Sequence, residues 1–391
     1  MLINGFKGSA VAAGIKKDAS LDLGLIFSEG EAVAAGVFTS NAVRAAPVLL
    51  SQQHIKRGRA RAILVNSGNA NACTGKEGLE TARLTADLVA RDLGIGAEEV
   101  LVASTGVIGA PLDRDTVGGA IPGLVRALSG GGLSQVAEAI MTTDSFPKIS
   151  KFQGTAGGRP FHILGMAKGA GMIMPQMATM LCFILSDIGI ERSKLQDALS
   201  GAVEKTFNRI TVDGDTSTND TVFALANGTA NSSPLSESEL ETFKKGMFLV
   251  AEDLARMIVK DGEGATKLVS VKVRGAASRE DAEKASRTVA NSALVKTAFY
   301  GQDPNWGRIM AALGRSGIHM DEEKVSIRID DILVVEGGLA TGTDQETDAA
   351  ERMKRDEFTV TIDLNKGGHE SRVLTCDLTH KYVSINAAYR T

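Results

Sequence analysis

Between Lys168 and Ser186 the chain reads KGAGMIMPQMATMLCFILS, and the one hydroxyl side chain before the closing serine is Thr179. The first half of this stretch carries Gly169, Gly171 and Pro175, which oppose regular structure. From Met180 to Leu185 it is continuously apolar, as a strand buried on both faces would be. Thr179 thus stands at a loop exit, at the head of a buried strand. Two readings follow. The threonine can simply begin a core strand, or it can be an N-terminal nucleophile whose hydroxyl attacks the Ala178 carbonyl; hydrolysis of the resulting ester then starts a new chain at Thr179. The α-amino group so released has an ordinary pKa of about 8, close enough to neutral to be the base that a weakly nucleophilic hydroxyl needs. No histidine is then required. Cys182, three places on, falls on the other face of the strand and reads as an inert core thiol.

Other residue types offer less. The five histidines show no H-E-x-x-H spacing, and there is neither G-x-x-x-x-G-K-[ST] nor a strand-linked G-x-G-x-x-G. Metal, nucleotide and nicotinamide chemistry lose ground accordingly. Cys73, Cys182 and Cys376 lie far apart without C-x-x-C spacing, which indicates neither a disulfide framework nor a zinc site and fits a reducing, cytoplasmic setting. Asp213, Asp215 and Asp220 in TVDGDTSTND lack the 12-residue calcium pattern and read as turn and hydrogen-bonding residues supporting the site. Trp306, the only tryptophan, reads as a packing anchor. A net charge of -4 gives no field for a phosphate backbone, so nucleic acid is not an expected partner, and the Lys56, Arg57, Arg59, Arg61 cluster reads as solvated surface. No stretch approaches the roughly 18 apolar residues of a membrane span.

The elements that must hold these residues can be read from periodicity. Leu21–Ser28 and Ala32–Phe38 read as antiparallel strands about a Glu29-Gly30-Glu31 turn, with another short strand at 62–65. Ala82, Ala86, Val89 and Leu93 recur at helical spacing before Gly94, and the strand at 100–103 delivers Ser104-Thr105-Gly106 to its end. Helices are predicted around Leu195, Ala198 and Ala202, and from Leu240 to Ile258 behind a Ser236-x-x-Glu239 capping box, with a strand at 221–225 between them. A helix near 282–298 and strands at 325–329, 332–335, 358–364 and 373–378 indicate a second, smaller α+β domain over 281–391, after a main domain of 1–280. The Gly130 to Gly132 triplet reads as a local linker.

Whole motifs carry more than spacing. The run KGAGMIMPQMATML at 168–181 resembles the self-processing junction of the ornithine acetyltransferase family, the glutamate N-acetyltransferases of arginine biosynthesis. In order along the chain, NSGNANACTG at 66–75, STGVIG at 104–109, MTTDSFPK at 141–148, FNRITVDGDTSTND at 207–220, VKDGEGATK at 259–267, GQDPNWGRI at 301–309 and CDLTHKYVSINAAYRT at the end resemble the same family.

The resemblance implies an α/β fold, a layered αββα sandwich of the self-processing N-terminal-nucleophile-like type with a smaller C-terminal α+β domain. Cleavage between Ala178 and Thr179 would give chains 1–178 and 179–391, which pair and assemble into a heterotetramer. It implies ping-pong transfer without a cofactor or metal: Thr179 takes acetyl from N-acetylornithine as an ester, releases ornithine and passes the acetyl group to glutamate. Some members also accept acetyl-CoA. Thr105 and Gly106 match the family's oxyanion pair. Substrate contacts fall on Thr142 or Thr143, with Thr142 favoured, and on Lys168, Thr179, Glu263, Asn386 and Thr391. A self-cleaving aminopeptidase or amidase of the same fold, with water as acceptor, is the nearest alternative, and a non-catalytic scaffold that keeps the fold is the next.

Overall fold

Apolar alternation pairs the chain into two sheets, each with its own helices. The computed structural model describes residues 3–174, 180–231 and 234–388. The described residues divide into two compact units, one made of those up to Asn208 with Asp215–Ile258, the other of Arg209–Gly214 with 259–388.

The first unit contains strands β1 (Phe6–Val11), β2 (Leu23–Phe38), β3 (Arg59–Asn66), β4 (Val100–Ser104), β5 (Lys148–Ala156), β6 (Arg159–Lys168), β7 (Leu181–Ser186) and β8 (Thr221–Ala226). Its helices are α1 (Ala46–His54), α2 (Gly75–Leu93), α3 (Arg114–Arg126), α4 (Leu133–Ala139), α5 (Arg192–Lys205) and all but the last two residues of α6 (Glu237–Lys260). The strand order is β4-β3-β2-β8-β7-β6-β5, with β1 on β2. The β3–β4 and β7–β8 pairs are parallel and the others antiparallel.

Side-chain alternation decides the layers. Ile63, Val65, Leu101 and Ala103 of β3 and β4 share one core with Leu164, Met166, Leu181, Phe183 and Leu185 of β6 and β7. The two ends of the sheet therefore lie face to face. The other face of β3 and β4, carrying Ala62, Leu64, Val100 and Val102, packs on α2 and α3 through Ala82, Ala86, Val89, Val117 and Ile121. Behind β6, Phe161 meets Phe243 of α6. Helix, sheet, sheet and helix follow in order, which is the αββα sandwich.

The second unit holds β9 (Leu268–Ala276), β10 (Ser326–Ile329), β11 (Ile332–Glu336), β12 (Leu339–Ala340), β13 (Glu357–Asp363) and β14 (His369–Cys376), ordered β12-β11-β10-β13-β9-β14. Its helices are α7 (Arg279–Ala290), α8 (Ala293–Tyr300), α9 (Trp306–Gly314), α10 (Thr343–Met353) and α11 (His380–Ala388). Val271, Ile327, Val360 and Val373 form its core with Ala285, Val289, Phe299 and Leu313. It is the smaller α+β unit.

Local expectations differ at four places. Glu29-Gly30-Glu31 is not a turn between two strands, because β2 runs through it while its register against β3 shifts between Phe27 and Ala32. Ser28 to Glu31 stand opposite Arg61 alone, a bulge-like break in the ladder. Gly130 to Gly132 is not a linker either: Gly8 and Ser129 exchange backbone hydrogen bonds of 2.9 and 3.0 Å, and a Cβ on Gly132 would stand 1.9 Å from the Gly8 carbonyl oxygen. Two backbones touch there. The single helix read over 282–298 is two, parted at Asn291, whose Oδ1 accepts the Thr211 hydroxyl at 2.6 Å. Finally, β9 pairs with β13 on one side and β14 on the other, which draws residues before 281 into the second unit. No helix among the described residues is long and apolar enough to cross a membrane.

Candidate active site

Thr105 and Gly106 follow the last residue of β4 and continue its alternation, so Thr105 shares the inward face of Leu101 and Ala103. The turn is built by the NSGNANACTG segment. Ser104 donates its hydroxyl to Asn66 Oδ1 at 2.6 Å, Asn66 Nδ2 donates to the Asn69 carbonyl at 2.8 Å, and Asn69 pairs with both Thr105 and Val107. Gly106 has φ 131°, and a Cβ there would meet the Gly68 carbonyl carbon at 2.3 Å, so only glycine fits. The Thr105 backbone N–H is engaged by the Asn66 carbonyl at 3.0 Å. What this turn has to offer a ligand is the Thr105 hydroxyl and the Gly106 amide.

Lys168 ends β6 and shares the inward face of Leu164 and Met166, which buries an ammonium group at 3% exposure. Its Nζ donates to Thr142 Oγ1 at 2.7 Å and, over a longer 3.4 Å, to Thr105 Oγ1. Lys168 comes from one sheet layer and Thr105 from the other, and they meet at the edge of the core between them. A hydroxyl that accepts from an ammonium keeps its own hydrogen to donate elsewhere.

Asp144 organises this cluster. Its Oδ1 accepts from Lys148 Nζ at 2.6 Å and from the Gly169 N–H at 2.7 Å, its Oδ2 accepts the Thr142 N–H at 3.0 Å, and Lys168 Nζ lies 3.8 Å from Oδ2. Burial opposes the Asp144 charge, but Lys168, Lys148 and the Gly169 amide outweigh it and hold the carboxyl down at about 2. Lys148 itself is fully buried. Asp144 and Lys148 are not singled out by the sequence; the only signal in MTTDSFPK is the four-residue spacing of an acid and a base between two threonines and a strand.

β7 starts beside this cluster, since Leu181 pairs with Lys168 on one side and Thr221 on the other. Asn219 Nδ2 donates to the carbonyls of Ser104 at 2.8 Å and Ala70 at 2.7 Å. The TSTND segment thus ties the end of β4 to the head of β7. Cys182 is buried one residue into β7, and burial pushes its thiol far up.

In the second unit, Glu263 and Asn386 are brought together, with Asn386 Nδ2 donating to Glu263 Oε2 at 2.7 Å. The Glu263 turn is strapped down. Thr379 Oγ1 donates to the Gly264 carbonyl at 2.8 Å, and Asp377 accepts the N–H groups of Thr266 and Lys267 at 2.8 and 3.0 Å. Asp213, expected as a hydrogen-bonding residue, accepts the Tyr382 hydroxyl at 3.4 Å. Trp306 opens α9 against the core and donates Nε1 to Glu346 at 3.0 Å. Ala178, Thr179 and Thr391 lie outside the described residues. Of the two candidate threonines, Thr142 places its hydroxyl against Lys168.

The αββα sandwich thus gathers a hydroxyl, a glycine amide and a buried ammonium at its strand ends, an arrangement able to stabilise negative charge on a bound acyl group. The chain belongs to the ArgJ family, whose model matches residues 7–391. It is 51% identical over 393 residues to the arginine biosynthesis bifunctional protein ArgJ of Geobacter sulfurreducens, covering 100% of both chains. It is 47% identical over 386 residues to the glutamate N-acetyltransferase of Methanocaldococcus jannaschii, covering 96% of this chain and 95% of that one. The crystal structure of ArgJ from Bacillus halodurans shares 42% identity at a TM-score of 0.51, covering 53% of this chain and 98% of its own.

Proposed function

We propose that this chain is a self-processing glutamate N-acetyltransferase that cuts itself before Thr179 and carries acetyl from N2-acetylornithine to glutamate on the Thr179 hydroxyl. In the first step Thr179 Oγ bonds to the Ala178 carbonyl carbon, the Ala178–Thr179 C–N bond breaks, and the hydroxyl proton ends on the freed nitrogen. Water then hydrolyses the ester. In transfer, the new α-amino group takes the Thr179 hydroxyl proton as Oγ attacks the acetyl carbonyl, and passes it to the nitrogen of ornithine as that C–N bond breaks; the glutamate amine then attacks the acetyl ester, the C–Oγ bond breaks, and a proton from the amine returns to Oγ. Each attack places negative charge on a carbonyl oxygen, and Thr105 and Gly106 are assigned to receive it. Lys168 and Thr142 are assigned to the substrate, as are Glu263, Asn386 and Thr391.

The observation that carries this reading is the Lys168 ammonium reaching both Thr142 and Thr105 beside the head of β7, where charge stabilisation is needed for an acyl group on Thr179. Family membership supports the reaction, as do the names of the relatives. The Bacillus halodurans chain adds support for cleavage, because it aligns over 98% of its length while spanning 53% of this one, about the share that a cut before Thr179 would leave downstream.

Intact-mass measurement of purified wild type beside Thr179→Ala tests the reading. Wild type should yield fragments 1–178 and 179–391, the variant one full-length chain, and acetylornithine should be consumed beyond one equivalent per enzyme only when glutamate is added. Rapid consumption without glutamate would favour an amidase and sink the transferase. Replacing acetylornithine with acetyl-CoA in the same assay reads the donor range.

A further inference from the structure

Asp220 closes the FNRITVDGDTSTND run, immediately before β8, and is only 1% exposed. Its Oδ1 accepts the Met180 N–H at 3.0 Å, while the next residue, Thr221, donates its N–H to the Met180 carbonyl at 3.1 Å. Both polar groups of the Met180 backbone are therefore held by consecutive residues of the neighbouring strand. Asp220 is itself held, since its carbonyl accepts the Thr39 N–H at 2.9 Å and Asn219 beside it is tied to the end of β4. It has little freedom to swing away.

The second carboxyl oxygen is different. Oδ2 is buried and has no hydrogen-bond partner among the described residues. A buried polar atom without a partner costs stability, which makes Asp220 an expensive residue to keep at this position. Burial also pushes the Asp220 carboxyl well above the usual carboxylate range, against the pull of the Met180 amide and of Lys168.

We propose that Asp220 is a positioning residue of self-cleavage: by gripping the Met180 amide it fixes the backbone immediately after the bond that is cut. This rests on the cleavage reading above. Asp220 contributes no atom to the step, in which the Oγ–C bond forms, the C–N bond breaks and the proton moves to nitrogen. Its effect is geometric, and a displacement of about 1 Å from a near-attack geometry costs on the order of a hundredfold in rate.

Cell-free synthesis of the full chain, followed by mass analysis of aliquots over time, measures the rate at which the two fragments appear. Asp220→Ala should slow it about a hundredfold. Asp220→Asn, which still offers an oxygen to the Met180 N–H, should recover to within about tenfold of wild type. Val222→Ala trims a buried apolar neighbour in β8 and should process at the wild-type rate. If Asp220→Ala gives no soluble chain, Asp220→Ser, too short to reach Met180, takes its place. Wild-type processing in Asp220→Ala overturns the proposal, and so does equal slowing in Val222→Ala or in Asp220→Asn. A wild-type chain that stays whole, like Thr179→Ala, removes the cleavage reading itself and this role with it.

Discussion

Asp144 lies buried between two ammonium groups, and the three charges tolerate burial because each has a partner. Removing the carboxylate leaves Lys148 and Lys168 with a charge they cannot hydrate, which is far costlier than losing an exposed pair. Asp144→Ala should therefore lower stability by about 3 to 5 kcal/mol in urea unfolding. The same residue predicts an acid limb. Its carboxyl is held at about 2 against a usual 3.8, so folding favours the ionised form. Its contribution is complete above about pH 4 and is lost as pH falls towards 2, amounting to about 2 kcal/mol. Stability measured over that range should fall in wild type and lose part of its slope in Asp144→Ala. An unchanged slope would remove Asp144 as the source. The exposed Arg57–Glu98 and Arg59–Glu31 pairs predict no such effect, since exposed ion pairs contribute little.

At the scale of elements, the turn after β4 separates two roles held by adjacent residues. Gly106 makes the turn possible, and Thr105 carries the hydroxyl assigned to the chemistry. Gly106→Ala forces a Cβ against the Gly68 carbonyl and strains φ, so it should lose soluble protein. Thr105→Ala keeps the turn, because the backbone bond to Asn66 and the pairing with Asn69 do not use the side chain. In the assigned oxyanion role it should lower kcat about a hundredfold or more with little change in KM. An unchanged kcat would take Thr105 out of the chemistry. These elements were largely legible beforehand. Ala82, Ala86 and Val89 line the buried face of α2, and Gly94 ends it at φ 67°. Ser236 and Glu239 cap α6 reciprocally, with 2.8 Å from the Ser236 N–H to Glu239 Oε2. The bulge in β2 was not legible, because a polar triplet between apolar runs reads the same in a turn and in a bulge until partner strands fix the register.

For the whole molecule, the strand order makes a prediction about the cut chain. β6 and β7 are neighbours, paired from Ile163–Ser186 to Lys168–Leu181, and β7 is paired again with β8 on its other side. A cut before Thr179 falls between two adjacent interior strands of one sheet, and their side chains enter one core. The fragments should therefore co-elute as one species in native gel filtration and part only in denaturant. Separation under native conditions would contradict this placement of the junction.

Sequence alone determined the local elements, because 3.6- and 2-residue periods, Gly stops and a capping box act within a few residues. Through whole motifs it also identified the family. It marked Thr179 as the head of a buried strand and put Thr105-Gly106 at a strand end. Tertiary structure alone decided what those residues meet. Lys168 and Thr105 are far apart in sequence and touch because two sheet layers close on one core. Asp144 became the centre of the charge cluster, and Asp220 the anchor of Met180, only when strands from distant segments were paired. A lone buried acid has no periodic signature; its partner is set by register, and register is a property of the assembled sheet.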